Sequence, residues 1–104
     1  MAQFDVHRNP HPETRDWAPY LLVLQHDLLG ELRTAVVAPL IVEARFGRPA
    51  RILNPVFGIE GRRVVMSTAE LAGISRQQLG EHVQSLRSMR DEILAAVDLL
   101  FTGI

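Results

Sequence analysis

The sequence predicts a mostly β protein closed by a C-terminal α-helix, and two observations predict it. Short apolar runs broken by turn-forming residues fill the chain from Gln3 to Thr68, and from about Leu86 onward the apolar residues recur at helical spacing. The division is a strand-rich part over residues 1–72 and a helix over about 86–102, within a single domain 1–104.

The elements follow in order. QFDVH alternates apolar and polar side chains, as a half-buried strand does. RNPHPETRDWAP carries three prolines and several turn formers, so it reads as a loop of unusual length. YLLVL is a continuous apolar run, the pattern of a strand covered on both faces. AVVAPLIV is another, and Pro39 inside it calls for a bulge or an edge position, because proline cannot donate to a ladder. PVFGI and RRVVMST flank Glu60-Gly61 and form a hairpin candidate. AELAGIS reads as a single turn or short helix leading away from the sheet.

The last segment is the clearest. Leu86, Met89, Ile93, Val97 and Leu100, with Ala96 between, make one apolar face. Ser85 or Ser88 can accept the free N–H groups at the helix start. Arg87 and Asp91, four apart, can pair on the outer face. Gly103 stands where a left-handed residue ends a helix. Leu94, Asp98 and Phe101 form a second row, which suits either a displayed helix or one buried on two sides. In AAVDLLFTGI, Asp98 is the only charged side chain. An apolar chain end gains nothing by fraying, so it is either tucked into a core or offered to a partner.

Composition narrows the function classes. A chain of 104 residues is long enough for one core without staples, and 47% hydrophobic with 22% charged residues excludes overall disorder. The absence of cysteine excludes a disulfide framework and thiolate metal sites, and it fits a reducing cytoplasm. MAQFDVHRNP lacks a basic region followed by an apolar run, so no signal peptide is expected, and no run approaches the roughly 20 apolar residues that cross a bilayer. Net charge is −1, and all eleven basic residues are arginine. That balance argues against a large phosphate-binding surface. Arg45, Arg48 and Arg51, and Arg62 with Arg63, read as solvated structural groups.

Catalytic and metal patterns are sparse. Pro10 and Pro12 prevent the helix that would align His7 with His11. His26 beside Asp27 and His82 beside Glu81 match no ligand spacing. There is no glycine-rich phosphate loop and no nucleophile elbow. Ser67 and Thr68 end a strand, where hydroxyls commonly bond backbone. Arg33, His26, Glu43 and Asp27 can be cast in a ribonuclease site, yet nothing in their spacing singles them out. Trp17, the lone loop tryptophan, is expected to pack down and anchor its loop.

In chain order, QF at 3–4, LQHDLLG at 24–30, VAPL at 37–40, NPVFGI at 54–59, MSTAEL at 66–71 and LFTGI at 100–104 resemble the CcdB-type toxins. The likeness runs over nearly the whole chain. It implies an SH3-like twisted antiparallel sheet with a small second sheet and a C-terminal helix, in a homodimer. It implies the toxin half of a toxin–antitoxin module that binds the A subunit of DNA gyrase and traps the enzyme on cleaved DNA. Such a protein is no enzyme, needs no cofactor or metal, and binds neither membrane nor, alone, nucleic acid. A disordered antitoxin segment wraps it and strips it from gyrase, and the two together repress their operon.

Carried over by position, the gyrase contacts fall on Leu28, Leu29, Asp98, Phe101, Thr102, Gly103 and Ile104. The long loop corresponds to one that holds antitoxin, which brings in Arg8, Arg15 and Trp17. One departure stands out: the family pattern ends in Trp-Gly-Ile, and here the tryptophan position is Thr102. Threonine has no π face, so a cation–π contribution of about 0.5–2 kcal/mol is lost. Asp98 stands in place of an asparagine and offers a charge to the gyrase arginine on which, by the resemblance, that tryptophan would stack. The alternatives are an endoribonuclease toxin of the related fold and a non-poisoning homologue that still binds antitoxin.

Overall fold

Strand β1 (Asp5–Arg8) lies between β2 (Tyr20–Val23) and β7 (His82–Ser85), and β2 in turn lies against β3 (Thr34–Val42). All pairings are antiparallel. The far edge of β3 is shared: its first half pairs β6 (Ala72–Ser75) and its last three residues pair β5 (Arg62–Met66), beyond which lies β4 (Val56–Ile59). The sheet curls into a half-barrel, and the small second sheet is continuous with it through β3. A single helical turn, α1 (Glu43–Phe46), follows β3, and α2 (Arg90–Thr102) closes the chain. This computed structural model describes residues 1–103; Ile104 lies outside the described residues. No helix among them is long and apolar enough to cross a membrane.

Strand β2 is buried at all four positions because both of its faces are covered. Tyr20 and Leu22 enter the main core with Phe4, Val6, Ala38, Leu40, Val64 and Met66. Leu21 and Val23 enter a second cluster with Val37, against Ile74 and Leu79. That double cover is why this strand reads as an unbroken apolar run.

Pro39 occupies neither a bulge nor an edge. Strand β3 is central, and its register with β2 runs unbroken through Leu21↔Pro39. On the other edge, Pro39 falls at the handover between β6 and β5, where its carbonyl accepts the Ser67 N–H at 3.0 Å. A ladder changing partners needs no N–H from that residue. The segment AELAGIS also departs from expectation. Thr68–Glu70 forms a 3-10 turn, but Ala72–Ser75 is a strand. A nine-residue β3 leaves an open edge beyond β5, and backbone pairing fills it regardless of side-chain pattern.

The hairpin turn has φ of 53° at Glu60 and 77° at Gly61, the two-residue geometry that matches strand twist. Helix α2 is preceded by a 3-10 turn at Arg87–Met89, with Ser85 Oγ accepting the Arg87 N–H. Leu86, Ile93 and Ala96 are buried, and Met89, Leu94 and Val97 pack around them. Gly103 takes φ 74° and returns its N–H to the Leu99 carbonyl, which ends the helix. Arg87 and Asp91 do not pair; Arg90 approaches Asp91 instead, at 3.9 Å.

Candidate functional site

The last turn of α2 leaves the molecule. Ile93 and Ala96 fix its first half in the core, whereas Phe101 is 69% exposed and Asp98, Thr102 and Gly103 are exposed with it. The second row therefore splits: Leu94 packs on the core, and its outer members face solvent. The Thr102 hydroxyl donates to the Asp98 carbonyl at 2.6 Å, so it closes the helix rather than reaching outward. Ile104, the remaining expected contact, is outside the described residues.

A second apolar patch sits on the loop between β2 and β3. A 3-10 turn at Asp27–Leu29 is capped by His26, whose Nδ1 accepts the Leu28 N–H at 3.0 Å. Leu28 is 87% exposed, and Leu29 and Leu32 are each 50% exposed. Polar ties hold these side chains outward. The Gln25 amide donates to the Leu29 and Thr34 carbonyls and accepts from Val36 N–H, and Arg76 also donates to the Leu29 carbonyl. Leu32 was missed by sequence reasoning; its signal was a leucine set between Glu31 and Arg33 with no helical or strand period around it.

The turn that carries the second patch begins beside the opposite end of α2 from Phe101. His26 and Asp27 border a cleft against Arg87 and Arg90 at the start of α2, together with Ala2, Gln3 and Phe4. Phe101 lies eleven residues further along that helix, about 16 Å on at 1.5 Å per residue.

The loop residues expected to hold antitoxin are partly engaged inside the chain. Arg8 makes a two-pronged contact with Glu60 at 3.0 and 2.7 Å, and the Tyr20 hydroxyl donates to the same carboxylate at 2.6 Å. The Arg8 hydrogen bond, then that of Tyr20, holds the Glu60 carboxyl below the usual carboxylate range. Burial, reinforced by Glu60, pushes the Tyr20 phenol up. Trp17 packs down as expected of a loop anchor: it is half-buried under the Arg45 guanidinium, 5.1 Å from the ring centroid. Arg15 is exposed. Asn9 braces the loop by donating to Thr14 Oγ1 and the Ala18 carbonyl.

The four residues that could be cast as a ribonuclease site do not assemble. Glu43 is held by Arg63 at 2.9 and 3.0 Å, which keeps its carboxyl low. Asp27 accepts the Gln3 N–H at 2.7 Å. Arg33 lines a different cleft, with Ser75, Arg76 and Gln77. Among the described residues no group of three His, Cys, Asp or Glu is placed to hold a metal ion.

The family model described as CcdB protein matches residues 3–103. No curated protein matches the sequence. Among solved structures, the fold is similar to an endoribonuclease in complex with its cognate antitoxin from a mycobacterial species. The TM-score is 0.72 at 11% identity, covering 94% of this chain and 91% of that one. A second mycobacterial endoribonuclease gives 0.71 at 11% identity, covering 94% and 88%. At that identity the likeness is one of fold. It nevertheless overturns the expectation that this chain is no enzyme: both neighbours of this fold are endoribonucleases, so absence of catalysis does not follow from the architecture.

Proposed function

The chain belongs to the CcdB family of toxin–antitoxin toxins, and from that premise we propose that it binds the A subunit of DNA gyrase and traps the enzyme on cleaved DNA. The observation that carries this reading is the end of α2: an aromatic side chain, 69% exposed, on a helix whose first half is locked into the core. An exposed Phe101 beside small residues is costly to leave in water and suited to a partner's apolar pocket. Leu28 and Leu29 supply the second contact, and a homodimer presents two copies of each patch to a symmetric target. A cognate antitoxin with a disordered segment neutralises the toxin, and the mycobacterial neighbour seen with its antitoxin supports a partner of that class. The site of action is the cytoplasm, where gyrase acts.

The test is a gyrase cleavage-complex assay with the full chain and with a version lacking Gly103 and Ile104. Trapping by the full chain alone assigns the tail as the poisoning element. If neither traps DNA while the fold is intact, gyrase is not the target, and a homologue that binds antitoxin without poisoning becomes the reading.

The second reading is an endoribonuclease toxin, favoured by the two structural neighbours. The same preparations incubated with RNA decide it: cleavage by the full chain that persists when the tail is removed would move the active element from the helix to the sheet.

A further inference from the structure

Of the eleven arginines, ten are exposed and only Arg76 is drawn into the surface. Its Nε is buried without a hydrogen-bond partner, and no carboxylate lies within salt-bridge distance of it among the described residues. One terminal nitrogen donates to the Leu29 carbonyl at 3.1 Å, which is a neutral acceptor. A buried guanidinium N–H without an acceptor is unfavourable, and an anion seated in the cleft would supply one that the described residues do not. Arg33 lies across the same cleft, where its backbone carbonyl accepts the Arg76 N–H at 3.0 Å. Ser75 and Gln77 complete the lining, and no acidic side chain does. The Ser75 oxygen accepts the Gln77 N–H, which leaves its hydroxyl proton free to donate.

We propose that the Arg33–Arg76 cleft is a carboxylate-binding site for an extended acidic peptide segment whose apolar side chains rest on Leu28, Leu29 and Leu32. Planar guanidinium forks match carboxylates in pairs. The flanking surface is leucine, and the cleft lining contains no aromatic ring on which a nucleotide base would stack. Charge and surroundings together therefore favour a peptide over RNA. An extended segment also has a backbone partner available. Among the described strands β6 pairs only with β3, its outer edge is free, and Ala72 and Gly73 are exposed, with open space where a Cβ on Gly73 would stand. This deepens the antitoxin partner of the reading above and rests on it for the partner's biological identity, but not for the chemistry.

The test follows the arginine Nε–H resonances of the ¹⁵N-labelled full chain. The probes are a decapeptide of alternating Glu and Leu, its Gln–Leu counterpart, and a ten-nucleotide oligouridylate. The expected result is saturable movement of the Arg33 and Arg76 signals by the Glu–Leu peptide, at least about tenfold tighter than by the Gln–Leu peptide. Arg33→Gln should weaken it about tenfold; this side chain is exposed and bonds nothing else in the fold described, so the variant keeps its structure. No response at either arginine, equal binding of the Gln–Leu peptide, or tighter binding of the oligouridylate overturns the proposal. The titration uses neither gyrase nor growth inhibition. Failure to poison gyrase with the arginine response intact therefore refutes the toxin reading alone, and the reverse result refutes the cleft alone.

Discussion

Glu60 shows how much one side chain can organise. It sits in the left-handed region of a two-residue turn, and its carboxylate gathers Arg8 from β1 and Tyr20 from β2. Because the Arg8 hydrogen bond lowers the folded-state pKa, the contribution is present above the ordinary value of 4.5 and is lost as pH falls through the lowered one. Glu43, lowered by Arg63, acts in the same direction. Between about pH 5 and about pH 3 the melting temperature of Glu60→Gln should therefore fall less steeply than that of the parent chain. Parallel slopes would mean that the unfolded chain keeps the same pairing. Gly80 is constrained differently: a Cβ there would stand 2.6 Å from the Arg8 carbonyl oxygen. Gly80→Ala should cost about 1–3 kcal/mol in urea unfolding, by pushing β7 away from β1.

Helix α2 is the element in which stability and proposed function separate along one axis. Ile93 is fully buried, so Ile93→Ala should cost about 2–5 kcal/mol. Phe101→Ala should change stability by less than about 0.5 kcal/mol, yet remove most gyrase trapping. Denaturant unfolding and the cleavage-complex assay on the same two variants check both statements. Asp98 adds a third. Its negative charge lies near the helix C-terminus, whose last turn holds no basic residue. Asp98→Asn should raise stability by about 0.3 kcal/mol at low ionic strength, and the gain should vanish in salt. The helical period was legible because 3.6-residue spacing is a local property. Which part of its second row stays exposed was not, since that depends on where the sheet ends beneath it.

At the scale of the molecule, the sheet has a firm middle and one loose member. Strand β2 is buried on both faces between β1 and β3, whereas β6 is mostly exposed and held on one side. Hydrogen exchange should find β2 amides among the slowest and β6 amides the fastest of the strands. Comparable protection in the two would mean that the free edge of β6 is covered in solution, as by a second copy or a bound segment.

The sequence by itself determined the elements whose signals are local. These are the apolar run at Tyr20–Val23, the Glu60-Gly61 turn, the period of α2 and its Gly103 stop, because periodicity and positive φ are written in neighbouring residues. The ordered motifs also carried the family. Only the tertiary structure decided the rest. It placed Pro39 at a change of partner, turned Ala72–Ser75 into a strand on the spare edge of β3, and paired His82–Ser85 with β1 although its side chains lack a strand pattern. It also set Arg76 beside Arg33 over a leucine-bearing loop. Each of these arises from backbone hydrogen bonds and contacts between residues far apart in the chain, and no local pattern encodes them.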